Sequence, residues 1–338
     1  MDAAQSDRLA LAPLKDGMTA TLAVCGASGF LGRHFLNAVA REGAAQVRLL
    51  VHHRDASAGV AASNLTPLPG DLLQPGSLPA LVHGASAVVN LAYLSHGSRD
   101  ANLTAAANLA RACRIGNVRR LVHMSTATVV GRAPDDVVTE STAADPRTDY
   151  ERTKLEIERI LIGEAAGTFE LVILRPTAVF GPWGQNLVKL ASSLSSGNTI
   201  ENYLRSCLHG RRRMNLLCVE NAIAAILFAT QVGIASPTQI FIVSDDDDIT
   251  NNYRDVESTL RQALERGEYA LAPAAVPDAV LRILLRCSGR SNINPDRVYS
   301  SASIAAAGFR KAVSFNTGLA VFVDWFRQTK LSAAHGNG

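Results

Sequence analysis

The 338-residue sequence predicts an α/β protein, a doubly wound parallel sheet followed by a smaller C-terminal unit. Three observations point there. A short apolar run at 21–25 (TLAVC) passes straight into a glycine turn and then into helical periodicity from Phe30 to Ala40. β-Branched runs then alternate with amphipathic stretches as far as about residue 180, the pattern of parallel strands joined by right-handed crossovers. Past Gly184 that alternation lapses into polar and glycine-bearing sequence.

The glycine turn is Gly26-Ala-Ser28-Gly29-Phe30-Leu31-Gly32, one residue wider at its first gap than GxGxxG. Glycine accepts the angles of such a turn, leaves room for a pyrophosphate and lets helix and strand pack closely. The helix start adds the positive end of a dipole, so these residues are candidate phosphate binders. A purely structural turn is the alternative.

Composition narrows the classes. Hydrophobic residues at 47% and charged residues at 19% describe a globular chain with a sizeable core, and the formal charge of +3 gives no reason to expect nucleic acid. Cysteines 25, 113, 207, 218 and 287 form no CxxC pair, as expected of reduced thiols in a cytoplasmic protein. The first twenty residues read as no signal peptide. The apolar stretch 216–235 is interrupted by Glu220, Asn221 and Gln231, so it reads as a core helix and not as a membrane span.

The elements follow in order. Residues 46–51 (QVRLLV) read as the second strand, and a count of twenty from Gly32 lands on His52. An NAD enzyme places a carboxylate there for the adenosine ribose. His52-His53-Arg54 offers none before Asp55 and does offer cations, which suits the 2′-phosphate of NADP; solvated loop residues are the alternative. A strand at 65–68, interrupted by Pro67, leads to Gly70-Asp71-Leu72, where Asp71 either accepts from an adenine amino group or caps the next turn. The run 87–91 is the next buried strand, and Asn90, Leu91, Ala92 and Tyr93 leave it at the carboxyl edge where parallel sheets bind ligands. A helix at 100–114 ends at Gly116, and a strand at 120–124 closes on Ser125-Thr126-Ala-Thr128.

Chemistry is expected at Tyr150-Glu-Arg-Thr-Lys154. Residues four apart share a helical face, so the phenol and the ammonium point the same way. A phenol with a pKa near 10 exchanges protons poorly at neutral pH, and a nearby cation lowers it.

Together these residues resemble the extended short-chain dehydrogenase/reductases, also called the NAD-dependent epimerase/dehydratase family. The matching segments are GASGFLG, GDL at 70–72, VVNLAY, HMSTATVVG, YERTK and LRPTAVFGPWG at 174–184, in that order. The resemblance implies a Rossmann-type doubly wound parallel sheet with a smaller C-terminal substrate-binding domain. It implies Thr126 as the hydroxyl that holds the substrate, Tyr150 as the acid/base, and Lys154 as the residue that binds the nicotinamide ribose and tunes the tyrosine. Ser125 is the weaker neighbour of Thr126. Arg175-Pro176-Thr177 matches the segment lying against the nicotinamide, and Asn102 an asparagine near the active site. The cofactor set is then Gly26, Ser28, Gly29, Phe30, Leu31, Gly32, His52, Arg54, Asp71, Leu72, Leu91, Ala92, Tyr93, Lys154 and Pro176. Tyr93, Ser125, Asn186 and Arg213 are the substrate-binding candidates. Val129-Val130 stands where the family usually has a tyrosine in the second position, and the acid after the second strand is missing, so NADP is expected with NAD as the alternative.

The implied division is an extension at 1–19, a dinucleotide domain at 20–184 rejoined by a strand near 239–244, and a substrate domain from 185–238 and 249–330. Within it, a helix is expected at 185–196, a strand at 239–243, and Thr250 as N-cap of a helix carrying Val256 and Leu260. Asp245 to Asp248 read as a solvated loop, with a metal site as the lesser alternative. One of Arg211, Arg212 and Arg213 is expected to clamp a pyrophosphate, since guanidinium grips phosphate oxygens through a rigid fork; exposed turn residues are the alternative. A last helix is expected at about 317–327, with frayed residues after Thr329.

The expected function is hydride transfer between a nicotinamide cofactor and a keto or hydroxyl carbon of a small-molecule nucleotide sugar, in a cytoplasmic homodimer. An apolar-ketone reductase of the steroid or flavonoid type is the rival enzyme, and a non-catalytic NADP sensor the rival outside enzymes.

Overall fold

Parallel pairing of the apolar runs builds the core. The structure is a computed structural model that describes residues 20–42, 45–53 and 63–335. Expectations for the 1–19 extension and for Arg54 lie outside the described residues. The chain opens with β1 (Ala20–Cys25), α1 (Phe30–Glu42), β2 (Ala45–Val51) and β3 (Leu65–Pro69). It crosses back through α2 (Pro79–Val82), β4 (Ala87–Asn90), α3 (Arg99–Ile115) and β5 (Arg120–Met124). The short β6 (Val137–Val138), α4 (Asp149–Ala165), β7 (Glu170–Pro176) and β8 (Ala178–Phe180) follow. The remainder is α5 (Val188–Ser196), α6 (Thr199–His209), β9 (Leu216–Cys218), α7 (Val219–Gln231), β10 (Thr238–Val243), α8 (Tyr253–Ala263), α9 (Asp278–Cys287), β11 (Val298–Tyr299), α10 (Ala302–Ala306) and α11 (Phe315–His335).

Seven strands form one parallel sheet in the order β3-β2-β1-β4-β5-β7-β10. β4 and β5 are buried along their whole length, because helices cover both faces. Phe35, Leu36 and Val39 of α1 and the apolar length of α7 pack on one face; Leu109 and Cys113 of α3 with Ile157 and Leu161 of α4 pack on the other. The chain beyond Gly184 is thus not a separate body throughout: α7 and β10 complete the sheet layer. A further core joins α5, α8 and α11 through Leu194, Val256, Leu260, Phe315, Leu319 and Phe322 beside Phe180. No helix among the described residues is long and apolar enough to cross a membrane.

Five expectations for this half need correction. The 216–235 stretch divides into β9 and α7, because Leu216–Cys218 pairs with Ala178–Phe180. The helix expected from Gln185 starts at Val188, and α11 continues through Thr329 to His335. The N-cap of α8 is Asn252, whose side chain accepts from Asp255 N, while the Thr250 hydroxyl donates to Asp248 Oδ1. Asp245 and Asp246 are not solvated: they are 0% and 2% exposed. Asp245 accepts from Cys218 N and Asn221 Nδ2 and pairs with Lys311 at 3.0 Å. Asp246 accepts from Asn215 Nδ2, Asn251 Nδ2 and Tyr299 N, and burial pushes its carboxyl up to about 6. Buried carboxylates persist only with such donors, so these two tie β10, β9, α7 and β11 together.

Candidate active site

The strand order reverses at β1, which has β2 on one side and β4 on the other, so a crevice opens beyond their carboxyl ends. The three glycines there do different things. Gly26 has φ +82°, and a Cβ on it would stand 2.6 Å from Ala92 N. A Cβ on Gly32 would stand 2.3 Å from Gly26 O, so this glycine lets α1 lie against the turn. At Gly29 the nearest atom is Gly26 O at 3.3 Å, and Gly29 and Ser28 are exposed at the start of α1. Phe30 and Leu31 pack their partly buried side chains against the core.

Gly29→Ala is therefore expected to fold normally and to lose about ten- to a hundredfold in dinucleotide affinity, the worth of a contact to a charged phosphate. Gly32→Ala is expected to cost about 1–3 kcal/mol of stability by overpacking. Melting each variant with and without NADP+ separates the two.

Past the ends of β2 and β3, His52 Nε2 lies 3.6 Å from Asp71 Oδ2, and Asp71 Oδ1 accepts from Leu73 N at 2.9 Å. Asp71 is thus a turn cap whose free oxygen meets His52. Leu72 is 7% exposed in the core, and its carbonyl accepts from Asn108 Nδ2. At the end of β4, Leu91 N donates to Cys25 O and Ala92 N to Asn90 Oδ1. Asn102 braces the segment that leaves β4. Its amide accepts from Leu94 N and donates to Leu94 O, which fixes the segment carrying Tyr93.

A capping box starts α4: Thr148 Oγ1 accepts from Glu151 N, and Glu151 accepts from Thr148 N. That places Tyr150 in the first turn, 43% exposed, and Lys154 one turn on, 4% exposed. Tyr150 and Tyr93 meet edge to face with ring centres 5.2 Å apart. Lys154 Nζ donates to Met124 O at 3.0 Å and lies 4.9 Å from the centre of the Tyr93 ring. Thr126 caps the short turn 127–130 by accepting from Thr128 N, and its hydroxyl lies 3.0 Å from that of Thr128.

The electrostatics correct one expectation. Burial, then Tyr93, holds the Tyr150 phenol above its ordinary value, and only the Thr126 hydroxyl pulls it back. The ammonium of Lys154 is turned toward Met124 and Tyr93, so it does not lower the phenol in this state. Burial brings Lys154 itself down to about 8, opposed by Glu158.

Beneath Lys154 lies a pair that the motifs did not reveal. Arg175 grips Glu158 by Nε to Oε1 at 3.0 Å and Nη2 to Oε2 at 2.6 Å, both side chains almost fully buried. Ser125 donates to the same carboxylate, which corrects its reading as a substrate ligand. Glu158 stands four residues after Lys154, so helical spacing was its one available signal. His123 is also buried there; its Nε2 has no partner, and burial, then Lys154, holds it well below its ordinary value. Pro176 ends β7 opposite Val243, and the Thr177 hydroxyl beside it is buried without a partner.

In the turn before β9, Arg213 Nη1 donates to Asp248 O at 2.9 Å, and Arg211 lies 3.6 Å from Asp255. Arg213, the expected substrate ligand, thus has one guanidinium nitrogen engaged within the protein. Arg212 has no carboxylate partner among the described residues, its Nε is buried without a partner, and burial, then Arg290, brings it down to about 10. Arg290 comes from the loop after α9, where no local motif announced it; its carbonyl accepts from Arg132. Asn186 donates to Val179 O at 2.6 Å. Leu187, buried with φ +67°, starts α5 without a side-chain cap.

Residues 22–242 match the NAD dependent epimerase/dehydratase family. Sterol demethylase protein B of Methylococcus capsulatus is 30% identical over 173 residues, 48% of this chain and 52% of that protein. The chain thus spans about half the length of that curated relative. A 2-alkyl-3-oxoalkanoate reductase of Stenotrophomonas maltophilia is 27% identical over 239 residues, 66% of this chain and 69% of the reductase. Among solved structures, the Bordetella bronchiseptica enzyme WbmG in complex with NAD and UDP superposes with a TM-score of 0.67 at 17% identity, covering 91% of this chain and 95% of that one. At that identity the likeness is one of fold.

Proposed function

The chain belongs to the NAD-dependent epimerase/dehydratase family, and from that premise we propose that it is an NAD(P)-dependent oxidoreductase or epimerase acting on a keto or hydroxyl carbon of a nucleotide sugar. A 4-ketoreductase or 4-epimerase is the specific form. The observation that carries the substrate class is the Arg212–Arg290 pair, two guanidinium groups with no carboxylate partner among the described residues. A pyrophosphate satisfies both through charge-assisted hydrogen bonds.

The residues divide the work. Ser28, Gly29 and the start of α1 would hold the dinucleotide pyrophosphate, Asp71 and the Leu72 backbone the adenine, His52 a 2′-phosphate, and the crevice edge from Leu91 to Tyr93 with Pro176 the nicotinamide half. The bound nicotinamide supplies or accepts the hydride. Thr126 orients the substrate oxygen, and Tyr150 gives that oxygen a proton in reduction or takes it in oxidation. Lys154, largely cationic at neutral pH with its value near 8, offsets the charge left on the phenolate.

A reductase of an apolar 3-oxo acid is the second reading, favoured by the named activity of the Stenotrophomonas relative. Melts decide between them. With NADP+ bound, one of UDP, GDP or dTDP at about a hundred times its dissociation constant should add about 2.7 kcal/mol of stability. Arg212→Ala should abolish that shift and spare the shift from NADP+. NADP+ should stabilise more than NAD+. If no nucleotide moves the midpoint and a long-chain 3-oxo acid does, the second reading replaces the first.

A further inference from the structure

The turn between α6 and β9 gathers more positive charge than it neutralises. His209 closes α6; its carbonyl accepts from Arg212 N at 2.9 Å, and its ring lies 4.8 Å from that of Tyr253 at the start of α8. Arg205 acts on it from one turn earlier on α6, Arg212 from the turn itself and Arg290 from the loop after α9. Arg205 is paired with Glu201, whereas Arg212 and Arg290 have no carboxylate partner among the described residues. His209 Nδ1 and Arg212 Nε are both buried without a hydrogen-bond partner. Buried polar atoms are normally paired, so two nitrogens left open beside a third cation define a place prepared for an anion.

We propose that His209 is the third arm of a diphosphate site shared with Arg212 and Arg290, and that it takes up a proton when a sugar nucleotide binds. The proposal rests on the nucleotide-sugar reading above. Its electrostatic basis is a reversal of field. In the free protein, burial and then Arg212, Arg290 and Arg205 bring His209 down to about 4, so it is neutral near pH 6. A pyrophosphate carrying two negative charges among the same groups favours the imidazolium, which then donates to a phosphate oxygen. The bound state holds more protons than the free state. Affinity therefore falls as pH rises between the free and bound values of His209, by at most about tenfold per pH unit.

The test is calorimetry on the NADP+-saturated protein with UDP-glucose, dTDP-glucose and GDP-mannose, in buffers of different ionisation enthalpy. The two phosphates of these probes keep their charges across the range, so any proton counted is taken up by the protein. The wild type should take up close to one proton near pH 6 and lose at least about fivefold in affinity from about pH 5.5 to about pH 7.5. His209→Gln, shown to be folded by an unchanged NADP+ melting shift, should bind roughly tenfold more weakly at about pH 5.5 and show neither uptake nor pH dependence. A probe that binds the wild type without proton uptake, or with equal uptake by both proteins, overturns the proposal and leaves the substrate class intact. If none of the three probes binds while a 3-oxo acid does, the nucleotide-sugar reading fails and the proposal falls with it.

Discussion

Replacing Tyr150 by Phe is expected to lower kcat by about 100- to 10,000-fold and to leave the affinities for cofactor and substrate nearly unchanged. The ring stays, so its edge-to-face contact with Tyr93 survives and the first turn of α4 keeps its capping box. What is lost is the hydroxyl proposed to exchange a proton with the substrate oxygen. Both phenols are half-exposed at the crevice, and burial alone already holds Tyr93 above its ordinary value. Tyr93→Phe removes the second hydroxyl as a control: if Tyr93 were the donor, the large loss would appear there instead. Steady-state kinetics on both variants, with dissociation constants from cofactor fluorescence, distinguishes the two assignments.

Arg175→Leu is expected to cost about 3–5 kcal/mol of stability, because it leaves the Glu158 carboxylate buried at 1% side-chain exposure without its cation. The Ser125 hydroxyl is the one other side-chain donor to that carboxylate among the described residues, and a single neutral donor does not replace a bidentate guanidinium. The double variant Arg175→Leu/Glu158→Leu should recover much of the loss, since removing both charges removes the desolvation cost with the attraction. Denaturant unfolding of both single variants and the double one closes the cycle. A single variant as stable as the wild type would mean that the pair is solvated and does not hold β7 against α4.

What was legible in the sequence was what is set locally. The glycine turn could be read because each glycine answers to the backbone around it: Gly26 to a positive φ, Gly32 to the close approach of α1. Tyr150 and Lys154 could be read because one helical turn separates them. What escaped depends on partners far along the chain. Nothing in four consecutive aspartates says that β9, α7 and β11 will bring donors to the first two and leave Asp247 exposed. Which of three adjacent arginines keeps a free guanidinium is decided by the Asp255 carboxylate beside Arg211 and the Asp248 carbonyl that accepts from Arg213, and Arg290 arrives from a loop about eighty residues later. Ser125 and Thr126 are equivalent as letters; they part because Ser125 sits over Glu158 and Thr126 at the start of the next turn.

The central claim is that hydride passes between a nicotinamide and a substrate carbon as Tyr150 moves the accompanying proton. A single turnover followed by nicotinamide absorbance tests it most directly. Wild-type protein and Tyr150→Phe, each saturated with cofactor, are mixed with whichever nucleotide sugar binds in the melts. The account predicts a rapid change in nicotinamide redox state in the wild type, and in the Phe variant a change slowed by at least about 100-fold despite equal occupancy. A Phe variant that matches the wild-type rate, or a wild type that turns its ligand over with neither a net nor a transient nicotinamide redox change, would contradict it.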